Sequence, residues 1–294
     1  MIKKILVQLD GTEVSESVLP YVQELGKRLN SEIILLNVYP PSAADLSHEH
    51  EVYLEHIAQA LKKNMKGKVT PVTLAGSANR VIVDYSMNEG IGLIVGMSRS
   101  KSDTKRWVIG STADKVIRET SKPVLVISAE APPVKENSTI LNKVLIPLDG
   151  SQASQAILPY IKLIMAGTSG NAESEVTLLR VIPPAHHVPV GEAVVTVPYT
   201  DAELSQLKEQ AENYLSEVGE NLRKGEINLN YKAIVRSIST ADEILDFAIQ
   251  KEVNLIAMST HGRTGISRLF LGATTDRVLH SSKLPLLLVK PSED

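Results

Sequence analysis

The sequence predicts an α/β fold made of two tandem doubly wound domains, each a five-stranded parallel sheet flanked by four helices. The stretch KILVQLDGTEVSESVLPYV from Lys4 recurs as KVLIPLDGSQASQAILPYI from Lys143 in one ungapped register. A second pair closes each half, LIVGMSRSKSDTKRWVIGSTADKVIRETSKPVLVI from Leu93 against LIAMSTHGRTGISRLFLGATTDRVLHSSKLPLLLV from Leu255, so each half is a complete unit. Within each unit, short apolar runs alternate with amphipathic stretches, the pattern of buried parallel strands joined by right-handed helical crossovers.

Residues 5–9 and 144–148 are β-branched apolar runs, as a strand buried on both faces requires. Asp-Gly stops each run, and Thr12 or Ser151 can cap the helix that follows. In the first half Val14, Val18, Val22 and Leu25 recur near helical spacing. Pro20 and Pro159 lie inside these helices and are expected to kink both alike. Second strands span 33–39 and 176–182, each ended by Pro-Pro, and long amphipathic helices follow over 52–66 and 201–224. Third strands are expected at 69–75 and 227–235, helices at 79–88 and 240–250, and fourth strands at 91–97 and 254–259. Final helices cover 110–120 and 272–281, and closing strands 123–127 and 285–289. The polar, Pro-containing stretch 129–139 reads as the linker, and a boundary near residue 135 separates domains 1–134 and 135–294. The second half is longer chiefly through 185–200, AHHVPVGEAVVTVPYT, whose valines suit an arm or lid, or a surface loop that packs them against one another.

Composition narrows the function. The 294 residues carry a net charge of -3 and no long basic run, which argues against a nucleic-acid partner. No apolar stretch approaches the roughly 20 residues that span a bilayer, and MIKKILVQLD reaches Asp10 too soon for a signal peptide. The expectation is a cytoplasmic protein without membrane attachment. With no cysteine, disulfides, thiolate catalysis and Cys-ligated metal sites are excluded.

In a doubly wound sheet, ligands bind beyond the carboxyl ends of the strands at the topological switch point. Asp149 and the loop from Ser259 to Gly262 must share that crest, and ten residues past Gly262 comes Gly272-Ala273-Thr274 at the start of a helix. Small residues let backbone N–H groups approach an anion, and a helix N-terminus adds donors and partial positive charge. The combination suits a phosphate chain, with Arg263 and Arg268 as further cations.

These residues resemble the universal stress protein family, whose nucleotide-binding members carry Gly-x2-Gly-x9-Gly-(Ser/Thr), and the resemblance covers both halves. Met258-Ser259-Thr260-His261-Gly262-Arg263-Thr264-Gly265 is similar to the family's Met-Gly-Thr-His-Gly-Arg-Thr-Gly. The four motif positions correspond to Ser259, Gly262, Gly272 and Ala273; Ser259 and Ala273 depart from the pattern, both with small side chains. The resemblance implies a strand order 3-2-1-4-5, adenine and ribose contacts from Pro147, Leu148 and Asp149, and an adenine-edge contact at Val181. It implies ATP, ADP or AMP as ligand, with Mg²⁺ as companion to ATP, and a regulatory role expressed through shape or assembly. In the first half the motif positions hold Met97, Ser100, Gly110 and Ser111, and a Met side chain where backbone should meet phosphate argues against binding there. Family members pair subunits through the closing strand, so the two halves can pair within one chain as a pseudo-dimer, and a homodimer of chains is expected besides.

Each feature has a plainer alternative. Asp10 and Asp149 can simply brace the turn after the first strand. Trp107 can pack on its own domain, and Arg99, Lys101, Lys105 and Arg106 can form a solvated loop. His186-His187 has no partner at metal-ligand spacing, and His261 reads as loop framework rather than a general base. No nucleophile–base–orienter set is legible. Two rival functions remain at this point: a slow ATPase or nucleotidyl-transferring enzyme on the same site, and an interaction module without nucleotide.

Overall fold

The computed structural model describes residues 2–65, 67–98, 110–132, 134, 141–166, 174–191, 193–223, 227–261 and 271–291. The first half runs β1 (Lys4–Gln8), α1 (Glu13–Glu16), α2 (Leu19–Leu29), β2 (Glu32–Tyr39), a 3-10 stretch (Pro41–Leu46), α3 (Ser47–Asn64), β3 (Val69–Ala75), α4 (Ala78–Asn88), β4 (Leu93–Ser98), α5 (Ser111–Glu119) and β5 (Val124–Ser128). The second runs β6 (Lys143–Pro147), a 3-10 stretch (Ala153–Ile157), α6 (Leu158–Ala166), β7 (Glu175–Ile182), β8 (Ala185–Val190), β9 (Ala193–Pro198), α7 (Asp201–Arg223), β10 (Asn228–Val235), α8 (Thr240–Gln250), β11 (Leu255–Ser259), α9 (Ala273–Ser281) and β12 (Leu286–Val289).

Each half forms a parallel sheet in the order 3-2-1-4-5, β3-β2-β1-β4-β5 and β10-β7-β6-β11-β12. The closing strands β5 and β12 then pair antiparallel, with Leu125 opposite Leu287, and fuse the halves into one ten-stranded sheet. Every residue of β5 and β12 is buried, so each strand would be an exposed apolar edge without the other.

Alternation of side chains sorts the core into two layers. Ile5, Val7, Ile33, Leu35, Ile146 and Leu178 face the layer of α2, α3, α6 and α7. Leu6, Ile34, Leu36, Leu145 and Leu179 face α4, α5, α8 and α9. Both layers run through both halves, so the sheet is covered on its two faces as a parallel sheet must be.

The prolines do more than kink a helix. After Asp10-Gly11 the chain makes the short α1, whose N-cap Thr12 accepts from the Ser15 N–H at 3.2 Å, and then restarts as α2 with Pro20 in its first turn. There the missing N–H is one that would have no helical partner, so proline is tolerated. The second half uses the 3-10 stretch 153–157 before α6, with Pro159 again at the second helical residue. Segment 185–198 is an antiparallel hairpin, a form the sequence reading did not assign. Gly191 turns it with φ of 62°, and Val190, Val194, Val195 and Val197 stand exposed rather than packed together.

Candidate functional site

The switch point of the second sheet lies between β6 and β11. These strands pair only at Val144–Leu255 and Leu145–Ile256, whereas β1 and β4 hold one pair more, up to Val7–Val95. The cause is local. Leu148 donates its N–H to Leu179 O at 2.9 Å, so by alternation Pro147 faces β11, and proline has no N–H to give. Gln8 stands at that place in the first half.

Beyond this divergence is a cleft of about 300 Å³ lined by Pro147, Leu148, Asp149, Val181, Met258, Ser259, Gly272, Ala273 and Thr274, with Ile244 and Thr240 on α8 closing it from the side. The structure therefore gathers nine of the eleven residues singled out in the sequence, and the other two, Gly262 and Arg263, lie outside the described residues. Trp107, Ser100 and the basic residues around them also lie outside the described residues. Sequence reasoning missed Thr240, Ile244, Ser154, Leu179 and Thr275 as lining residues. Ser154 and Thr275 follow closely on motifs already singled out, and Leu179 lies two residues before Val181; α8 reaches the cleft through a crossover that no local pattern specifies.

Asp149 is held by its own turn. Its Oδ1 accepts from the Ser151 N–H at 2.9 Å and from the Ser151 hydroxyl, and Ser151 Oγ in turn accepts from the Ser154 N–H at 3.1 Å. Asp10 does the same for Thr12 at 3.1 Å and 2.6 Å, so turn bracing is common to both halves. On the opposite wall, Thr275 Oγ1 donates to Ser259 O at 3.0 Å and Gly272 N donates to Thr260 O at 2.8 Å. These bonds tie the start of α9 to the end of β11. Gly272 caps α9 without a side-chain bond, and the first amides of a helix have no helical acceptor, so the cleft floor presents N–H groups and the positive end of the helix dipole.

The α8 wall is fixed by carboxylates. Ser239 caps α8 by accepting from the Asp242 N–H at 3.2 Å, and its hydroxyl, followed by Arg277, holds Asp242 below the usual carboxylate range. Glu243 accepts from the Ser237 N–H at 2.6 Å, which depresses its pKa and fixes the turn that presents Thr240. Among the described residues, no three His, Asp or Glu side chains gather in a way that could hold a metal ion by themselves.

The corresponding cleft of the first half measures about 140 Å³ and is lined by Gln8, Asp10, Met97, Gly110 and Ser111 among others. Met97 stands where Ser259 stands in the second half, is buried, and takes a 3.6 Å contact from the Ser17 hydroxyl on its sulfur. Among the described residues, no helix is long and apolar enough to cross a membrane.

The universal stress protein family model matches residues 1–128 and 141–290. A universal stress protein of Methanocaldococcus jannaschii is 26% identical over 157 residues, covering 53% of this chain and 86% of that protein. One of Mycolicibacterium smegmatis is 22% identical over 306 residues, covering 98% of this chain and 97% of that protein. The crystal structure of a universal stress protein from Archaeoglobus fulgidus matches with a TM-score of 0.73 at 21% identity, covering 99% of this chain and 100% of that one, a likeness of fold. With both halves matched separately by the one family model, the chain belongs to the universal stress protein family as a tandem member.

Proposed function

We propose that the second domain binds an adenine nucleotide, ATP, ADP or AMP, once per chain, and that the first domain is its structural and regulatory partner. The observation that carries this reading is the inequality of two equivalent clefts, about 300 Å³ with small residues at the phosphate end against about 140 Å³ with Met97 inside. A cleft of the larger size reaches the lower bound for small-molecule sites, about 300 Å³.

Within it, Leu148, Val181, Ile244 and Met258 offer apolar walls for a purine, and backbone near Val181 can serve its edge. Asp149, which lines the same cleft, would accept from ribose hydroxyls. Phosphates belong at the amides of Ala273 and Thr274, with the Gly262 loop and Arg263 completing the cradle as the family resemblance implies. Asp149 already accepts two bonds from Ser151 on one oxygen, which favours a binding role over that of a mobile general base. Mg²⁺ would be carried by the phosphates of ATP. Nucleotide occupancy would then be signalled through shape or assembly, including pairing of whole chains.

Calorimetric titration with ADP, together with mass spectrometry of the ligand released from purified protein, tests the proposal. One site per chain and an adenine nucleotide in the released fraction are expected. Two equivalent sites per chain, or no binding at millimolar ADP, would overturn it.

A further inference from the structure

Two departures of the second half from the first meet at one place on the opposite face of the sheet. Asn37 on β2 is buried and donates from Nδ2 to Leu9 O at 2.9 Å, bracing the carbonyl before Asp10-Gly11. At the matching position on β7 stands Arg180, whose Nη1 donates to Leu148 O at 3.2 Å. The bracing bond is thus kept, but by a longer, cationic side chain. The second departure is the hairpin β8–β9, inserted directly after β7 and without counterpart in the first half.

Between these two novelties is a cavity of about 310 Å³ lined by Gly150, Arg180, Ile182, Tyr199, Leu207 and Tyr214, among others. Tyr199 leaves the base of the hairpin, its N–H donating to Pro184 O at 3.0 Å and its ring 4.8 Å from that of His186. Tyr214 on α7 accepts at its hydroxyl from Gln155 Nε2 at 3.3 Å. At Gly150, where φ is +85°, a Cβ would lie 2.8 Å from Arg180 Nη1, so the glycine lets the guanidinium lie flat against the turn. Apolar and aromatic side chains share the lining with Gln210 and one cation, Arg180, and none of these residues lines the cleft proposed for nucleotide.

We propose that this cavity is a second ligand site, specific to the second domain, that takes a small amphipathic carboxylate: an aliphatic or aromatic body against Ile182, Leu207 and Tyr214, and its anionic head in the field of Arg180. An Arg in a partly apolar wall recognises a carboxylate by charge-assisted hydrogen bonds, and aromatic side chains cover the apolar body. Pro183 and Tyr199, which flank the hairpin on either side, both line the cavity, so the insertion and the arginine adjoin the same space.

Octanoate is the probe, with 1-octanol as its uncharged counterpart, titrated calorimetrically into the full chain. Octanoate is expected to bind with a dissociation constant below about 1 mM, and octanol at least about tenfold more weakly. Arg180→Asn, which installs the residue the first half already uses, and Leu207→Trp, which fills the cavity from its rim, are each expected to weaken octanoate at least about tenfold. The assignment is overturned if octanoate fails to bind up to about 10 mM, if octanol binds equally well, or if either variant retains wild-type affinity while melting as the wild type does. None of these readouts depends on whether nucleotide binds at the neighbouring cleft.

Discussion

Replacing Ala273 with serine restores at the head of α9 a hydroxyl that α5 carries at Ser111. The backbone is ready for it: Gly272 has φ -57° and ψ 143°, and Gly110, ahead of Ser111, has -59° and 139°. Ser111 shows that this geometry accepts serine as the first helical residue, so the substitution adds a hydroxyl without asking the chain to move. A hydrogen bond to a charged acceptor contributes about 1.5–3 kcal/mol when shielded from water. Ala273 is exposed, and competition from solvent reduces the expected gain to about 1 kcal/mol, roughly a fivefold tighter complex. In the absence of ligand the change touches no buried contact, and stability should move by less than about 0.5 kcal/mol. The assay is calorimetric titration of both proteins with ADP, AMP and adenosine. ADP and AMP should tighten while adenosine, which has no phosphate, should not. Equal tightening of adenosine, or no change for ADP in a folded variant, would show that phosphate does not lie at the start of α9.

Ser259→Met copies the first half into the second: affinity for ADP should fall at least about tenfold, since Met97 accompanies a cleft less than half the size, and wild-type affinity on titration would refute the role given to the small residue. Leu287→Asp places a carboxylate opposite Leu125 in a fully buried strand pair and should cost more than about 4 kcal/mol in urea unfolding; a loss under about 1 kcal/mol would mean that the junction is not a core. Acid should destabilise the protein in a defined window. Glu32 is held low first by its bond to Lys68, Glu243 by the Ser237 N–H, and Asp242 by the Ser239 hydroxyl and Arg277. Depressed carboxylates contribute stability that is fully present above their unfolded values and is lost as pH falls through the folded ones, so urea midpoints should be level from about pH 7 to 5 and decline below about pH 4.5. Midpoints that stay level down to about pH 3 would contradict these pairings.

The parallel strands were legible because burial on both faces forces a continuous apolar run, and the internal repeat located each run twice. Residues 69–75 and 240–250 were read with the ends they have in the structure. The α2 break was only half visible: Pro20 was seen, but a proline in an apolar periodic stretch looks the same whether it kinks a helix or begins a new one. The hairpin 185–198 was obscured by Pro189, which cannot donate to a ladder and so counts against a strand, although Val188, Val190, Val195 and Val197 alternate about Gly191. Most of the cleft was legible through motifs that sit at strand ends. Thr240 and Ile244 were not, because α8 is brought to the cleft by the strand order and carries no chemical signature of its own.

The retention of a first domain with a narrowed cleft has a physical reason that needs no ligand. A domain ending in β12 alone would expose Leu286–Val289, every residue of which is buried by β5 and the helices behind it. An edge of that kind recruits another strand, and in this chain the recruit is tethered, so pairing is intramolecular and independent of concentration. Arg118 on α5 then reaches Asp276 on α9 at 3.1 Å, and Lys290 donates to Arg118 O at 3.1 Å, so the helix that begins at Gly272 is also held from the first domain. Divergence of the halves has run accordingly. The junction sets Leu125 against Leu287 with leucine against valine on either side, while Gln8 against Pro147, Met97 against Ser259 and Asn37 against Arg180 differ where the sheets open. A duplicated unit can differ at its cleft without loss of fold because what the partner domain needs from it is an edge, and the edge strand β5 does not line the first-half cleft.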